Sequence, residues 1–343
     1  MSKTNNYQLK LLSEGEKNLW DAFVEQSGQK TIFHSTFWAD QIKKVFKRDY
    51  HILALLKKEQ IIAGILFWPK KVLFIDAITH IPNTSYQGPL YRKSSPAKKA
   101  SSLQSEYQKQ TGLLLDYLTA KYQLIDIPLS PHIKDSRPYQ WKNFTVETAY
   151  TYRFEITEFS QLQQQFSQDL RRKIKKSNEQ GIHFKTSTDT QALIGFVFDS
   201  YKESATSPAI SSSMMQSFMD ACIQSGTGRL FYQYLADEPI SGIFVLYDAY
   251  SVYALFSGIA STKRAITNSE LVHTYVLQQP DFLGKQFDFL GANTSHLEQF
   301  KRSFGGDLIP YFKVNFKSNK TVSSLFYARS KYQLAKRKFK SFY

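Results

Sequence analysis

The chain has 343 residues, which is enough for two domains that each bury a core of their own. Hydrophobic residues make up 42% of the chain and charged residues 21%, a balance that excludes an intrinsically disordered protein. The net charge of +15 predicts a surface that attracts phosphate-bearing ligands, nucleic acid or an anionic membrane face.

The cysteine count and the hydropathy pattern indicate the cellular compartment of the protein. The only cysteine, Cys222, rules out an intramolecular disulfide and a cysteine-based metal cluster, and its apolar helical context places it in the core. The first residues show no apolar leader, and no run of about 18 apolar residues occurs. The sequence therefore predicts a cytoplasmic protein and leaves open a peripheral contact with the inner face of a membrane.

The first half of the chain alternates strand and helix patterns. A strand precedes two amphipathic helices, the second of which is capped by Ser35 or Thr36. Residues 51–56 and 61–68 predict a hairpin in which Gly64 marks a bulge or a close backbone contact. The remaining predicted elements of this half are a strand at 72–78, a turn-rich loop at 82–96, a helix at 101–121, a strand at 123–127, a loop at 128–143 and a strand at 145–156.

The second half repeats this order. A long amphipathic helix over residues 162–176 is followed by a strand, two further helices and a second hairpin made by 229–235 and 240–247. The segment Ile240-x-Gly242-Ile243 follows the turn of this hairpin, as Ile62-x-Gly64-Ile65 follows the turn of the first. The shared order predicts a duplicated α+β unit.

Residues 286–305 read as a buried strand, a turn and a short helix. Gly291 breaks the strand, and Asn293, Thr294 or Ser295 caps the helix that follows. This helix carries Lys301 among aromatic residues.

Two charged residues of this stretch are candidates for chemistry. Lys301 lies beside a Gly-Gly turn, where an amine directed at a phosphate or a developing oxyanion is expected; a solvated surface lysine is the alternative. Asp288 ends the predicted strand and is either a general base or a carboxylate that caps backbone or pairs with a lysine. His273 and His296 are lone histidines and fit structural roles better than those of bases.

Several different short motifs along the chain form a recognisable set. They are Phe33-His34-Ser35-x-Phe37-Trp38, Tyr86-Gln87-Gly88-Pro89-Leu90-Tyr91, Leu170-Arg171-x-Lys173, and Asp288-Phe289-x-Gly291 followed by Phe300-Lys301-x-x-Phe304-Gly305. Together they resemble the Fem-type (FemAB-like) transferases, a branch of the GNAT acyltransferase superfamily. The resemblance covers most of the chain and is strongest from 160 to 313.

The resemblance implies both a fold and an activity. The fold is α+β, with two tandem GNAT-like (acyl-CoA N-acyltransferase) domains at residues 1–145 and 146–343, each a mixed sheet flanked by helices. The activity is transfer of an acyl or aminoacyl group from acyl-CoA or aminoacyl-tRNA to an amine acceptor, in cell-envelope or polysaccharide biosynthesis and without a metal. The partners are a phosphate-bearing donor, tRNA among the candidates, and the amine.

The resemblance also assigns site residues. Lys301 stabilises the tetrahedral intermediate, and Asp288 is the candidate base. Donor binding falls to Lys263, Arg264, Asn268 and Ser269, in the turn and helix start where GNAT enzymes hold a pyrophosphate. Substrate binding falls to Arg171, Lys173, Trp38, Tyr86 and Phe300. A cleft near Lys263, Arg264 and Lys301 is therefore predicted.

Two departures leave alternatives open. The usual Q/R-x-x-G-x-G/A motif of acetyl-CoA binding is absent from the turn at 258–269, so the donor stays undecided. A solvated basic helix face is the other interpretation of the cluster at 171–176. A non-catalytic binder of nucleic acid or an anionic membrane on a GNAT-like scaffold is the alternative function, and the basic tail at 328–343 favours it.

Overall fold

The computed structural model describes residues 7–72, 74–94, 97–179, 181–204, 206 and 208–319. The described chain divides into two compact units, one of residues 7–149 and 310–319 and the other of residues 150–309. The predicted division into 1–145 and 146–343 stays a prediction, and the basic tail at 328–343 lies outside the described residues.

The first unit combines short strands with helices of very different length. Its strands are β1 (Tyr7–Leu11), β2 (His51–Lys57), β3 (Gln60–Phe67), β4 (Pro69–Val72), β5 (Ile75–Thr79), β6 (Leu90–Tyr91) and β7 (Leu124–Pro128), and its helices are α1 (Lys17–Glu25), α2 (Thr36–Phe46), α3 (Ala100–Lys121) and α4 (Arg137–Gln140). An antiparallel sheet has the order β1-β2-β3-β6. In the other sheet β5 and β7 are parallel and are connected through α3.

The second unit contains one mixed sheet. Its strands are β8 (Thr145–Glu155), which begins in the first unit, β9 (Ile182–Ser187), β10 (Gly228–Leu235), β11 (Glu238–Tyr247), β12 (Ser251–Ile259) and β13 (Gln286–Asp288). Its helices are α5 (Phe159–Gln165), α6 (Gln168–Glu179), α7 (Gln191–Glu203), α8 (Ser212–Gln224), α9 (Ser269–Val276) and α10 (Ser295–Arg302). The sheet order is β8-β13-β12-β11-β10-β9, in which β12 and β13 are parallel and are connected through α9.

The order of elements repeats in the two halves of the chain. Each half runs through a strand, two helices, a hairpin, a parallel strand pair joined by a helix, a further helix and a final strand. The final strands are exchanged: β8 pairs with β13, and β14 (Asp307–Lys317) pairs with β7. This exchange explains why residues 310–319 belong to the first unit.

The glycines of the repeated hairpin motif both lie against aromatic rings. A Cβ at Gly64 would lie 2.7 Å from the Trp20 ring, and one at Gly242 would lie 2.6 Å from the Tyr232 ring. The close contact predicted at Gly64 is confirmed, since a larger side chain would displace the ring.

One predicted helix is two helices. The sequence pattern suggested a continuous helix over residues 162–176, but α5 ends at Gln165 and α6 begins at Gln168. The interruption comes from Ser167, whose Oγ accepts a hydrogen bond from the Leu170 N–H at 3.2 Å. A serine that caps the following turn starts a new helix more readily than it continues one.

A tightly packed aromatic core fills the second unit around β13 and α10. Phe287, Phe289 and Phe304 are all almost completely buried in it. No helix in the described part of the chain is both long and apolar enough to cross a bilayer.

Candidate active site

The two parallel strands of the second unit separate after a short paired stretch. β12 and β13 pair over three residues and end with Tyr253 opposite Asp288. β12 continues beside β11 to Ile259, whereas the chain after β13 follows β8, where the Phe289 N–H donates to Tyr152 O at 3.1 Å. We call the gap that opens between β12 and β13 the fork.

β12 is irregular where it borders the fork. Its register with β11 shifts between two consecutive pairs, Val245 with Ala254 and Phe244 with Phe256, so Leu255 is an extra residue. Such a bulge bends the strand and redirects its backbone N–H and C=O groups. Between Ala254 and Ile259 the described chain pairs β12 with β11 on one side only, so the other backbone edge faces the fork.

Asp288 organises the turn at which β13 leaves β12. Its side chain is fully buried, and its Oδ1 accepts hydrogen bonds from the Thr151 hydroxyl at 2.7 Å and the Leu290 N–H at 2.8 Å. Its Oδ2 lies 3.3 Å from Arg153 Nε. These contacts fix a turn in which Leu290 and Gly291 both have positive φ. The role of Asp288 as general base stays a prediction, because the described contacts are those of a carboxylate that holds the turn.

Helix α10 brings Lys301 to this turn. The side chain is only 9% exposed, and its ammonium donates to Phe289 O at 2.7 Å and to Gly291 O. Burial lowers the pKa of Lys301 to about 8, although the charge of Asp288 acts in the opposite direction. Lys301 is therefore still an ammonium at neutral pH, and one of its three N–H groups has no acceptor among the described residues.

His273 lies in the aromatic cluster beside Lys301. Its Nδ1 donates to Ser269 O at 2.6 Å, and its ring centroid is 5.1 Å from that of Phe300 and 5.9 Å from that of Phe304. Burial lowers the pKa of His273 to about 4, and the charge of Lys301 adds to this effect. The imidazole is therefore neutral, with Nε2 as its acceptor.

Sequence reasoning left His273 out of the site. The available signal was its position four residues after Ser269 at the start of α9, which lets the ring bond back to the first turn.

The start of α9 carries a carboxylate as well as the predicted Asn268 and Ser269. Glu270 accepts a hydrogen bond from Lys173 Nζ at 2.7 Å, and Asn268 Oδ1 is a buried acceptor with no hydrogen-bond partner in the described chain. A carboxylate in the first turn interacts favourably with the helix dipole, as a phosphate would. Glu270 thus places a negative charge in the helix turn to which the resemblance assigned the donor phosphate.

The other predicted donor-binding cations form ion pairs elsewhere. Lys263 lies 2.7 Å from Glu238, and Arg264 pairs with Glu203. Within the described residues neither cation shares a hydrogen bond or ion pair with Lys301. The contacts therefore do not bring these three side chains together, and donor binding by Lys263 and Arg264 stays a prediction.

The two basic residues predicted on α6 point in different directions. Arg171 is exposed, whereas Lys173 is partly buried between Glu270 and Asp169, the latter at 3.0 Å. Of these two residues, Lys173 is the one with a described ion pair to the start of α9.

Of the aromatic residues predicted to bind substrate, Trp38 and Tyr86 are buried and Phe300 is partly buried. In the first unit the Trp38 indole N–H donates to Thr84 Oγ1 at 2.9 Å, and the rings of Trp38 and Tyr86 pack on Phe33 at 5.0 and 6.0 Å. In the second unit Phe300 packs on His273. These contacts explain the conformations of the three aromatic residues without a ligand.

Comparison with known proteins finds a family likeness in the second unit. The acetyltransferase (GNAT) domain model matches residues 164–302, which include α9, β13 and Lys301. The match covers most of the second unit, which is therefore similar to a GNAT domain. No curated protein sequence matches the chain.

Solved structures extend the likeness to both units. The fold is similar to that of FemX, with a TM-score of 0.66 at 13% identity, over 93% of this chain and 99% of that one. It is also similar to a C-terminal domain assigned to a lysylphosphatidylglycerol synthetase from Agrobacterium fabrum (TM-score 0.53, 9% identity, 92% and 96% covered). A third similar structure is L-PGS from Bacillus licheniformis (TM-score 0.52, 11% identity, 88% and 92% covered).

These findings confirm the resemblance to the Fem-like branch of the GNAT superfamily and the α+β fold class. At these identities the solved structures show the fold alone, and the GNAT match supports the acyltransferase class. Among the described residues, no group of three or more histidine, cysteine, aspartate and glutamate side chains is arranged to hold a metal ion.

Proposed function

We propose that this GNAT protein transfers an acyl or aminoacyl group from an activated donor to an amine at the fork. The observation that carries the proposal is the ammonium of Lys301, which two backbone carbonyls hold at the point where β12 and β13 separate. Its burial weakens competition from water, so its charge acts strongly on a nearby oxyanion.

The reaction needs no covalent enzyme intermediate. The nitrogen lone pair of the amine attacks the carbonyl carbon of the donor, a C–N bond forms, and the carbonyl oxygen becomes an oxyanion. Lys301 stabilises this oxyanion through its remaining N–H. The intermediate then collapses, the ester or thioester bond breaks, and the proton of the amine leaves with the departing oxygen or sulfur.

The start of α9 favours aminoacyl-tRNA over acyl-CoA as the donor. Glu270 supplies a negative charge in the first turn, and Lys173 neutralises it. A CoA pyrophosphate at this helix end would be repelled by Glu270 and would have to compete for Lys173. An aminoacyl-tRNA carries single backbone phosphodiesters in place of a pyrophosphate, so it does not require this helix start to hold a doubly charged group.

The acceptor class follows from the similar structures only as part of the proposal. A lysylphosphatidylglycerol synthetase, by its name, makes a lipid that carries an aminoacyl group. We extend this to an acceptor of the cell envelope with a free amine, reached from the cytoplasmic side of the membrane.

Turnover with two donors tests the proposal. Labelled acetyl-CoA and labelled aminoacyl-tRNA are each incubated with the protein and a panel of amines at fixed salt, and the amide product is counted. We expect product from aminoacyl-tRNA and none from acetyl-CoA. Glu270→Gln should strengthen acetyl-CoA binding, whereas Glu147→Gln, an equal charge change on an exposed strand position, should not.

Two results would contradict the proposal. Product from acetyl-CoA alone would overturn the choice of donor. No product from either donor, with salt-sensitive binding of tRNA retained, would favour the non-catalytic basic binder.

A further inference from the structure

The first unit contains a basic groove that the proposed reaction does not use. Its volume is about 520 Å³, and it is lined by strands β1, β2, β3 and β6 and by the first half of α3. Arg92, which directly follows β6, lies in its wall. We call this cavity the Arg92 groove.

Arg92 is held in place by neutral groups. Its Nε–H donates to Ile61 O at 2.8 Å, and its Nη1 donates to Gln26 Oε1. In the described chain no carboxylate lies within ion-pair distance of the guanidinium. Partial burial lowers the pKa of Arg92, so the charge carries a desolvation cost that no anion among the described residues offsets. Two of its five N–H groups are used, which leaves donors for an oxyanion.

Further cations in and beside the groove also lack a described counter-charge. Lys57 and Lys109 lie 5.6 and 4.9 Å from the centroid of the Tyr7 ring, and Lys93 lines the groove beside Arg92. No carboxylate in the described residues pairs with any of these three lysines. The one carboxylate in the lining, Glu106, is bound by Lys98 through both oxygens at 2.9 Å.

Tyrosine rings form part of the wall. Tyr91 and Tyr107 pack with their centroids 4.9 Å apart, and their hydroxyls form hydrogen bonds with Thr111 Oγ1 at 2.7 Å and with Asp135 O at 2.5 Å, respectively. Rings with satisfied hydroxyls offer an apolar surface beside the cations. A ligand that suits both features has an anionic group and a ring or apolar body.

We propose that the Arg92 groove binds a phosphate-bearing small molecule, with Arg92 as the central contact of the phosphate. The parallel N–H groups of the guanidinium match two phosphate oxygens, and Lys57 and Lys93 add positive charge at the exposed rim of the groove. The tyrosine wall receives the ring or apolar portion. This site is separate from the fork, because all of its residues belong to the first unit.

Binding of defined phosphates by calorimetry tests the proposal. The probes are inorganic pyrophosphate, ADP, and vesicles of phosphatidylglycerol in phosphatidylcholine, each with the full chain at fixed salt. The main variant is Lys57→Gln/Lys93→Gln, since both side chains are exposed and their loss leaves the core intact. The matched control is Lys44→Gln/Lys134→Gln, which removes the same charge from exposed positions outside the lining.

We expect saturable binding of ADP that is tighter than that of pyrophosphate. The double variant of the groove should weaken ADP binding roughly tenfold or more, because two charge-assisted contacts are lost. Arg92→Lys keeps the charge but loses the two parallel N–H donors of the guanidinium, so it should also weaken ADP binding. The control variant should leave ADP binding unchanged. Equal affinities in the groove and control variants, absence of saturable ADP binding, or binding to vesicles alone would each overturn the proposal.

Discussion

The two units contain the same parallel strand pair, but the aspartate at its end is exposed in the first unit and buried in the second. Asp126 in β7 lies opposite Thr79, as Asp288 in β13 lies opposite Tyr253. Asp126 is exposed, whereas Asp288 is fully buried beside Arg153. The same backbone position therefore has two different electrostatic roles.

The helix after each pair shows the same contrast. α4 has four residues, and its Arg137 forms an ion pair with Asp135 at 2.8 Å near the surface. α10 has eight residues and buries Lys301 against backbone carbonyls. The comparison teaches that a repeated fold does not imply a repeated site, because the candidate site depends on the burial of Asp288 and Lys301, which the first unit does not reproduce at Asp126 and Arg137.

The largest difference between the two units should appear in the stability lost when Asp288 or Asp126 is replaced by alanine. Asp288→Ala leaves the Arg153 charge buried and the turn without its acceptor, so we expect a loss of about 3–5 kcal/mol in the free energy of unfolding. Asp126→Ala should change it by no more than about 0.5 kcal/mol. Chemical denaturation of both variants gives the two values, and similar losses would contradict the contrast.

The turns after the two helices provide a second, smaller contrast. Asn143 and Gly305 both have positive φ, at 62° and 75°, but a Cβ at Gly305 would collide with the backbone of Gln165. We expect Gly305→Asn to cost about 1–3 kcal/mol of stability. Asn143→Gly should stay within about 0.5 kcal/mol. A mild effect of Gly305→Asn in thermal melts would show that the turn is not constrained as described.

The pH dependence of turnover should follow the protonation of Lys301, in the second unit. Burial lowers the pKa of Lys301 to about 8, so the ammonium is present below that pH and is lost as the pH rises through it. With an acceptor amine whose pKa lies well below 7, turnover should fall about tenfold per pH unit above 8. Lys301→Arg keeps its charge in this range and should flatten the decline, whereas an unchanged decline would assign it to another group.

Local patterns in the sequence predicted much of the architecture. The hairpins, the repeated glycines and the strand, turn and helix that lead to Lys301 follow from apolar periodicity and turn residues, which act over a few positions. The exchange of β8 and β14 was not predicted, since pairing between distant strands leaves no mark on local periodicity.

The site was predicted less completely than the fold. Lys301 could be singled out because it lies in a short motif, and the surrounding phenylalanines indicated that it is buried; its role in the site stays a prediction. The pairing of Asp288 with Arg153 was missed because the two residues are far apart in the chain. An arginine within the apolar strand β8 was nevertheless an available signal that this charge is buried. The partners of Lys263 and Arg264 were missed because they too are distant in the chain.

The central claim is that the ammonium of Lys301 stabilises the oxyanion at the fork. The direct test compares turnover of the wild type and Lys301→Met with one aminoacyl-tRNA and one amine, beside their melting curves. Lys202→Met, at an exposed position in the same unit, is the matched control. We predict a loss of about 100-fold to 1,000-fold in turnover for Lys301→Met with folding retained, and none for the control. Equal turnover in all three proteins would contradict the claim.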